Sequence, residues 1–124
     1  MNLVDSSGWL EYFADGRNAE FFAPPIQDIK NLVVSTINIY EVFKKILEQK
    51  DENAALEAIG VMERARVINF NSTLALFSAG LSYELKLPMA DSIILATARS
   101  FKATLWTQDF HFANLPDVKY IPNK

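Results

Sequence analysis

Short β-branched runs alternate with longer segments of helical periodicity along this sequence, and that alternation constrains the fold more than any other feature. Strands are predicted at residues 3–4, 32–35, 66–70, 103–107 and 118–121. Helices are predicted after Ser6 or Ser7, from Thr36 or Asn38 onward, and at residues 51–65, 72–87 and 89–102. Strands that alternate with helices favour a central parallel sheet with helices on both faces, so we predict an α/β/α sandwich.

The length of 124 residues is typical of one domain, and we predict that residues 1–124 form it. Ala23-Pro24-Pro25 is predicted to be a turn inside that domain. In the helix predicted at residues 51–65, the apolar stripe is expected to comprise Leu56, Ile59 and Met62.

Composition and charge exclude several classes of protein. The chain has no cysteine, which excludes a disulfide scaffold, a thiolate zinc site and a cysteine nucleophile. No signal peptide or membrane-length apolar run is visible, so a cytoplasmic protein without a membrane partner is expected. The net charge of −3 counts against a pure RNA-binding module, since such modules are usually basic.

Four acidic residues stand at positions that packing does not explain. Asp5 and Asp109 follow predicted strands, whereas Glu41 and Asp91 lie near the starts of predicted helices. Each has an ordinary local explanation: a helix cap, a turn residue, a solvated face or an interaction with the helix dipole. In a parallel sheet, however, all four positions fall at the edge where the carboxyl ends of the strands meet. Clustered carboxylates repel one another unless a cation neutralises them, and oxygen ligands suit Mg²⁺ or Mn²⁺.

Four segments together resemble the PIN domain, and most closely its virulence-associated toxin C (VapC) proteins. They are VDSS at 4–7, NIYEV at 38–42, MADSIILATA at 89–98 and TQDF at 107–110. The resemblance covers nearly the whole chain, in the order usual for the family. It implies an α/β/α sandwich that cleaves RNA phosphodiesters with Mg²⁺ or Mn²⁺. It also implies a homodimer that is inhibited by an antitoxin protein packed on the helices beside the site.

The resemblance assigns the functional residues as follows. The metal-binding and catalytic acids are Asp5, Glu41, Asp91 and Asp109, and the supporting hydroxyls are Ser7 and Thr107. Many relatives carry a further acid two residues after the last one, but here that place holds His111. This departure bears on whether a second cation binds. The favoured interpretation of His111 is a loop histidine, and the alternative is contact with a substrate phosphate.

The mechanism predicted from these residues is metal-assisted hydrolysis, in which a cation activates water for in-line attack on phosphorus. Asp5, Asp91 and Asp109 are the first candidates for ligands, while Glu41 either binds the metal or orients the water. Basic residues must hold the RNA backbone. Lys44-Lys45 is the better candidate, because it shares a helix with Glu41, and Arg99 with Lys102 is the other.

Three other functions share part of this sequence pattern with a toxin nuclease. A phosphorylated receiver domain also combines this fold with acids and Mg²⁺, but it pairs acids after its first strand, and here Ser6 follows Asp5. A housekeeping RNA-processing nuclease would use the same site. A non-catalytic RNA-binding or scaffolding PIN domain often loses acids, and this chain keeps all four.

Overall fold

The computed structural model describes residues 1–123, and within that range it contains a five-stranded parallel sheet with helices on both faces. The predicted α/β/α architecture is therefore confirmed. The strand order is β3-β2-β1-β4-β5, so the first strand in the sequence lies at the centre of the sheet. The strands are β1 Asn2–Val4, β2 Leu32–Ser35, β3 Arg66–Ile68, β4 Thr104–Thr107 and β5 Val118–Tyr120.

The helices fall between these strands, and two further 3-10 helices occupy short connections. The α-helices are α1 Ser6–Phe13, α2 Ala19–Gln27, α3 Thr36–Gln49, α4 Glu52–Met62, α5 Ser72–Leu85 and α6 Met89–Ser100. The 3-10 helices are Ile29–Asn31 and Phe110–Phe112. No helix within residues 1–123 is long and apolar enough to span a membrane.

Two hydrophobic clusters lie on opposite faces of the sheet, because successive strand residues point to opposite sides. Leu3 and Val33 face one cluster, which is completed mainly by α5 and α6. Val4 and Val34 face the other, which is completed by α1 to α4. Every residue of β2 is buried, as expected for a strand that is covered on both faces.

The predicted turn at Ala23-Pro24-Pro25 is wrong, because both prolines lie inside helix α2. Proline removes a backbone donor and normally disrupts a helix interior. Here tertiary packing overrides that preference: Phe22, Pro25 and Ile26 are buried, and Phe22 and Ile26 belong to the cluster shared by α1 to α4.

The predicted stripe of helix α4 is also partly wrong. The residues that it buries are Ala55, Ala58 and Met62, whereas Leu56 is 54% exposed. The small alanines let α4 pack closely on α3, and an apolar residue on an exposed face does not disturb that packing.

Several of the predicted helices and strands extend beyond the ends observed in the structure. Helix α5 stops at Leu85, because Lys86 adopts a left-handed conformation with φ 55° that ends the helix.

Candidate metal-binding active site

The site is built on two neighbouring central strands whose carboxyl ends meet at one edge of the sheet. Strands β1 and β4 pair in parallel with Val4 opposite Trp106, so Asp5 and Thr107 lie side by side just beyond that pair. The backbone N–H of Asp5 donates to the carbonyl of Trp106 at 3.1 Å. Residues 102 positions apart in the sequence are thereby brought into contact.

Asp5 is held by hydrogen bonds to both of its carboxylate oxygens. Its Oδ1 accepts from the backbone N–H of Gly8 at 2.9 Å and from Ser7 Oγ at 2.8 Å. Its Oδ2 accepts from Thr107 Oγ1 at 2.5 Å. Asp5 therefore caps helix α1, which is one of the ordinary roles considered for the four acids, and at the same time faces the carboxyl edge of the sheet.

Burial dominates the titration of Asp5, which is 3% exposed. Loss of hydration raises the pKa of its carboxyl from 3.8 to about 6, although the hydrogen bonds from Thr107, Gly8 and Ser7 oppose the shift. The nearby charge of Asp109 adds to the increase. A carboxylate buried in this way is strongly stabilised by any added positive charge.

Thr107 links Asp5 to Asp109. Its buried hydroxyl donates to Asp5 and also accepts from the backbone N–H of Asp109 at 2.9 Å. Asp109 then caps the 3-10 helix Phe110–Phe112, because its Oδ1 accepts from the backbone N–H of His111 at 2.9 Å. The orientation of Asp109 is thus set by the threonine that ends β4.

Asp91 reaches the same place from the first turn of helix α6. The Nδ1 atom of His111 lies 3.0 Å from Asp91 Oδ2 and 3.1 Å from Asp109 Oδ1. Burial raises the pKa of Asp91, with a further contribution from the charge of Asp109, and the hydrogen bond to His111 opposes it. Among the described residues, Asp91, Asp109 and His111 each offer one ligand atom, and these atoms all lie within 4.8 Å of one another.

Glu41 enters the site through a buried network that sequence reasoning missed. Its Oε1 accepts from Ser6 Oγ at 2.6 Å, and Ser6 Oγ accepts in turn from Asn38 Nδ2 at 3.0 Å. Asn38 is fully buried and also caps helix α3 through the backbone N–H of Ser35. The spacing of Asn38 and Glu41, three residues apart on one helix face, is a signal that could have revealed the pair. Glu41 contributes to the raised pKa of Asp91, so the two carboxylates are close enough to interact.

The structure therefore brings all six residues predicted from the sequence to one edge of the sheet. Ser7, Asp5, Thr107 and Asp109 form one chain of hydrogen bonds, and His111 extends it to Asp91. Glu41 joins from the side of helix α3. Of the proposed RNA-binding lysines, Lys44 and Lys45 are exposed on that same helix, and Lys44 Nζ lies 5.9 Å from the centre of the Tyr40 ring.

A family model describing the PIN domain matches residues 3–118 of the sequence. The chain belongs to the PIN-domain family. A search of curated proteins found no match.

Solved structures similar to this PIN domain include components of toxin–antitoxin systems. A toxin–antitoxin complex from Klebsiella pneumoniae is 27% identical with a TM-score of 0.77, and the match covers 96% of each chain. FitAcB from Neisseria gonorrhoeae is 20% identical with a TM-score of 0.74, covering 98% of this chain and 96% of the other. VapC20 from Mycobacterium tuberculosis, described as a sarcin-ricin loop cleaving toxin, is 16% identical with a TM-score of 0.75, covering 95% and 98% respectively.

The residues present in this PIN domain fit a divalent cation. Four carboxylates meet without a neighbouring lysine or arginine that forms an ion pair with them among the described residues, and burial disfavours the charged forms of Asp5 and Asp91. The available donors are oxygens and one imidazole nitrogen, a set that accepts a divalent metal. Asp91, Asp109 and His111 present the closest donor atoms, and Asp5 and Glu41 flank them.

The Thr107 hydroxyl is expected to support the stability of the site. Changing Thr107 to Val removes the donor to Asp5 and the acceptor for the Asp109 N–H at nearly constant volume, so we expect a loss of about 1–3 kcal/mol in the free energy of unfolding. Urea denaturation at pH 7.5 measures it. Thr107→Ser keeps the hydroxyl and is the matched control. Equal losses in the two variants would show that the methyl group matters and the hydrogen bonds do not.

Proposed function

We propose that this protein is a metal-dependent endoribonuclease that acts as the toxin of a toxin–antitoxin pair. The observation that carries the proposal is the convergence of Asp5, Glu41, Asp91 and Asp109, from four separate elements, at the carboxyl edge of a PIN-domain sheet. The similarity to a toxin–antitoxin complex, at 27% identity over 96% of each chain, supports the toxin role. We expect it to act in the cytoplasm on RNA.

The proposed cofactor is Mg²⁺ or Mn²⁺, held by Asp91 and Asp109 with Asp5 and Glu41 beside them. When bound, such a cation activates water for attack on a phosphodiester and offsets the negative charge that develops on the phosphate oxygens. Asp5 contributes a carboxylate whose direction is fixed by Gly8, Ser7 and Thr107. This preorganisation reduces the cost of arranging the ligands during the reaction.

Glu41 has the arrangement expected of a group that positions water. One of its carboxylate oxygens accepts a hydrogen bond from Ser6, and Ser6 is held in turn by a hydrogen bond from Asn38. The other oxygen is assigned to a proton of the attacking water, which directs a lone pair of that water toward the scissile phosphorus. Thr107 and Ser7 orient Asp5 and are not assigned a direct contact with substrate.

The ribonuclease proposal is tested by incubating the purified protein with total RNA, with chelator or with Mn²⁺, and mapping the cut ends. Cleavage that requires the cation and is lost in Asp5→Asn supports it. RNA binding without cleavage under both conditions would favour a non-catalytic PIN domain instead.

The partners proposed are an antitoxin and a second copy of the chain. An open groove between α1, α3 and α4 is lined largely by apolar side chains, among them Leu10, Phe13, Ile46 and Val61. Helix α1 runs from this groove to Asp5, so a protein bound there can extend toward the carboxylates. Trp9 of the same helix is fully buried in the core and does not contribute to that surface. The surface proposed for the homodimer is that of helix α5, where 78% of Leu76 and 86% of Tyr83 are exposed.

Expression without the antitoxin is expected to arrest growth, whereas co-expression with the neighbouring gene is expected to relieve it and to yield a stable complex. Growth arrest that is absent at a confirmed level of folded protein would contradict the toxin role. It would leave RNA cleavage to be judged by the assay above.

For RNA binding, we expect Lys45→Ala to weaken the affinity equally for all RNA sequences. The slope of the logarithm of the binding constant against that of the salt concentration should fall by the release of about one counterion. Lys45 follows Glu41 by four residues and therefore lies on the same side of α3. Arg99→Ala is the matched control, because Arg99 lies eight residues beyond Asp91, about 12 Å along helix α6. Filter binding to RNA in chelator, over a range of salt, measures both. An equal effect of the two changes would contradict the assignment.

A further inference from the structure

His111 is the single histidine of the sequence, and the fold places its ring against the proposed metal ligands. Its backbone N–H donates to Asp109, and its ring contacts that of Phe110 with 4.5 Å between centroids. The side chain is 41% exposed, so neither core packing nor a need to satisfy a buried polar group explains its position. The Nδ1 atom points between two carboxylates that repel each other.

The distances around Nδ1 match those between neighbouring ligands of one cation. Donor atoms about 2.1 Å from a metal, at right angles to each other, lie about 3.0 Å apart. Nδ1 lies 3.0 Å from Asp91 Oδ2 and 3.1 Å from Asp109 Oδ1. A hydrogen bond from a protonated Nδ1 would give similar distances, so the experiment must distinguish coordination from hydrogen bonding.

We propose that His111 Nδ1 is a direct ligand of the divalent cation, together with Asp91 and Asp109, and that it shifts the preference of the site from Mg²⁺ toward Mn²⁺, Co²⁺ and Zn²⁺. The inference rests on the proposed function only for the presence of a cation site. Mg²⁺ is bound through oxygen and retains much of its water, whereas imidazole is a better ligand for the transition metals. The neighbouring acids keep the site anionic, so Mn²⁺ remains a suitable occupant.

The absence of other imidazoles and of cysteine makes a direct spectroscopic test possible. Tag-free protein is loaded with Mn²⁺ and studied by pulsed electron paramagnetic resonance, which detects the nuclear modulation of a coordinated imidazole nitrogen. That modulation is expected in the native protein and is expected to disappear in His111→Gln. Bound Mn²⁺ without nitrogen modulation would overturn the proposal, and so would failure of Mn²⁺ to bind the folded protein.

Metal selectivity provides a second readout that does not depend on activity. Titration calorimetry gives the affinities for Co²⁺ and for Mg²⁺. The affinity for Co²⁺ relative to that for Mg²⁺ is expected to fall about tenfold or more in His111→Asp, because this change leaves oxygen donors only. An unchanged ratio would overturn the proposal. Circular dichroism of both variants establishes that they are folded.

The same preparations separate this inference from the proposed function. Nitrogen modulation in a protein that cleaves no RNA supports the ligand assignment and contradicts the ribonuclease. RNA cleavage by a Mn²⁺-loaded protein that shows no nitrogen modulation supports the ribonuclease and overturns the role of His111.

Discussion

Replacing Asp5 with Asn is expected to abolish RNA cleavage and to make the metal-free protein more stable at pH 8. Asn caps helices about as well as Asp, so the bond from Gly8 and the start of helix α1 should survive. The change removes one negative charge at nearly constant volume, and with it a carboxylate that the proposed mechanism needs. Loss of one such group typically costs about 100-fold or more in rate.

The gain in stability follows from the raised pKa of Asp5. Burial raises that pKa from 3.8 in the unfolded chain to about 6, so the folded protein holds the proton more tightly. The stability contributed by this group is therefore present below pH 3.8 and is lost as the pH rises through about 6. The full shift corresponds to about 3 kcal/mol. Asn avoids that loss, but its amide NH2 cannot accept from Thr107 as a carboxyl oxygen does, so we expect a net gain of about 1–2 kcal/mol.

Urea denaturation of both proteins in chelator, from pH 4 to pH 8, measures this difference. The excess in the free energy of unfolding of Asp5→Asn over that of the native protein is expected to grow mainly between pH 4 and pH 6.5 and to be constant above pH 7. Asp15→Asn makes the same chemical change at an exposed position and should leave both stability and cleavage unchanged. An Asp5→Asn protein that cleaves RNA, or one that is less stable than the native protein at pH 8, would contradict the assignment of Asp5.

Replacing Asp91 with Asn is expected to remove most of the stabilisation that we predict for added Mn²⁺, besides reducing the proposed cleavage about 100-fold or more. A ligand at 100 times its dissociation constant stabilises the folded state by about 2.7 kcal/mol. If the substitution weakens binding about 100-fold, the same Mn²⁺ concentration contributes only about 0.4 kcal/mol. Asp91 contacts His111 and also feels the charge of Glu41, so its loss affects both neighbours.

Thermal melts with chelator and with Mn²⁺ give the two shifts directly. Asp117→Asn, at an exposed position between the 3-10 helix Phe110–Phe112 and β5, is the matched control and should retain the full Mn²⁺ shift. The metal-free Asp91→Asn protein should be no less stable than the native one, since burial raises the pKa of Asp91. A full Mn²⁺ shift in Asp91→Asn would show that the cation binds elsewhere.

The sheet could be predicted because its buried strands leave a strong local signal. Leu32–Ser35 is a short apolar run that contains two β-branched valines and is followed by a segment of helical periodicity. The predicted strand matches β2 residue for residue. Helix α2 could not be predicted, since Pro24 and Pro25 disfavour a helix locally and only contacts with distant residues compensate. The exposed Leu56 of α4 shows the same limit: periodicity does not reveal which face a neighbouring helix will cover.

The positions of the candidate acids followed from strand ends and helix starts, but their partners did not. That Thr107 contacts Asp5, or that His111 lies between Asp91 and Asp109, depends on contacts across 20 to 102 residues. Ser6 and Asn38 were missed because a buried serine and asparagine look like ordinary helix-start residues in a sequence. Their role becomes visible only when Glu41 is seen to accept from Ser6.

The central position of β1 determines when this site can exist during biosynthesis. Asp5 is synthesised before Thr107, Asp109 and His111, which follow it by more than 100 residues. Until β4 is synthesised, β1 can pair only with β2, and its other edge stays open. Contacts of such long sequence separation form late, because the chain must close a large loop before gaining them. A nascent chain is therefore expected to be inactive until β4 and the residues that follow it have been made, which would leave time for a binding partner to reach the helices α1 to α4 first.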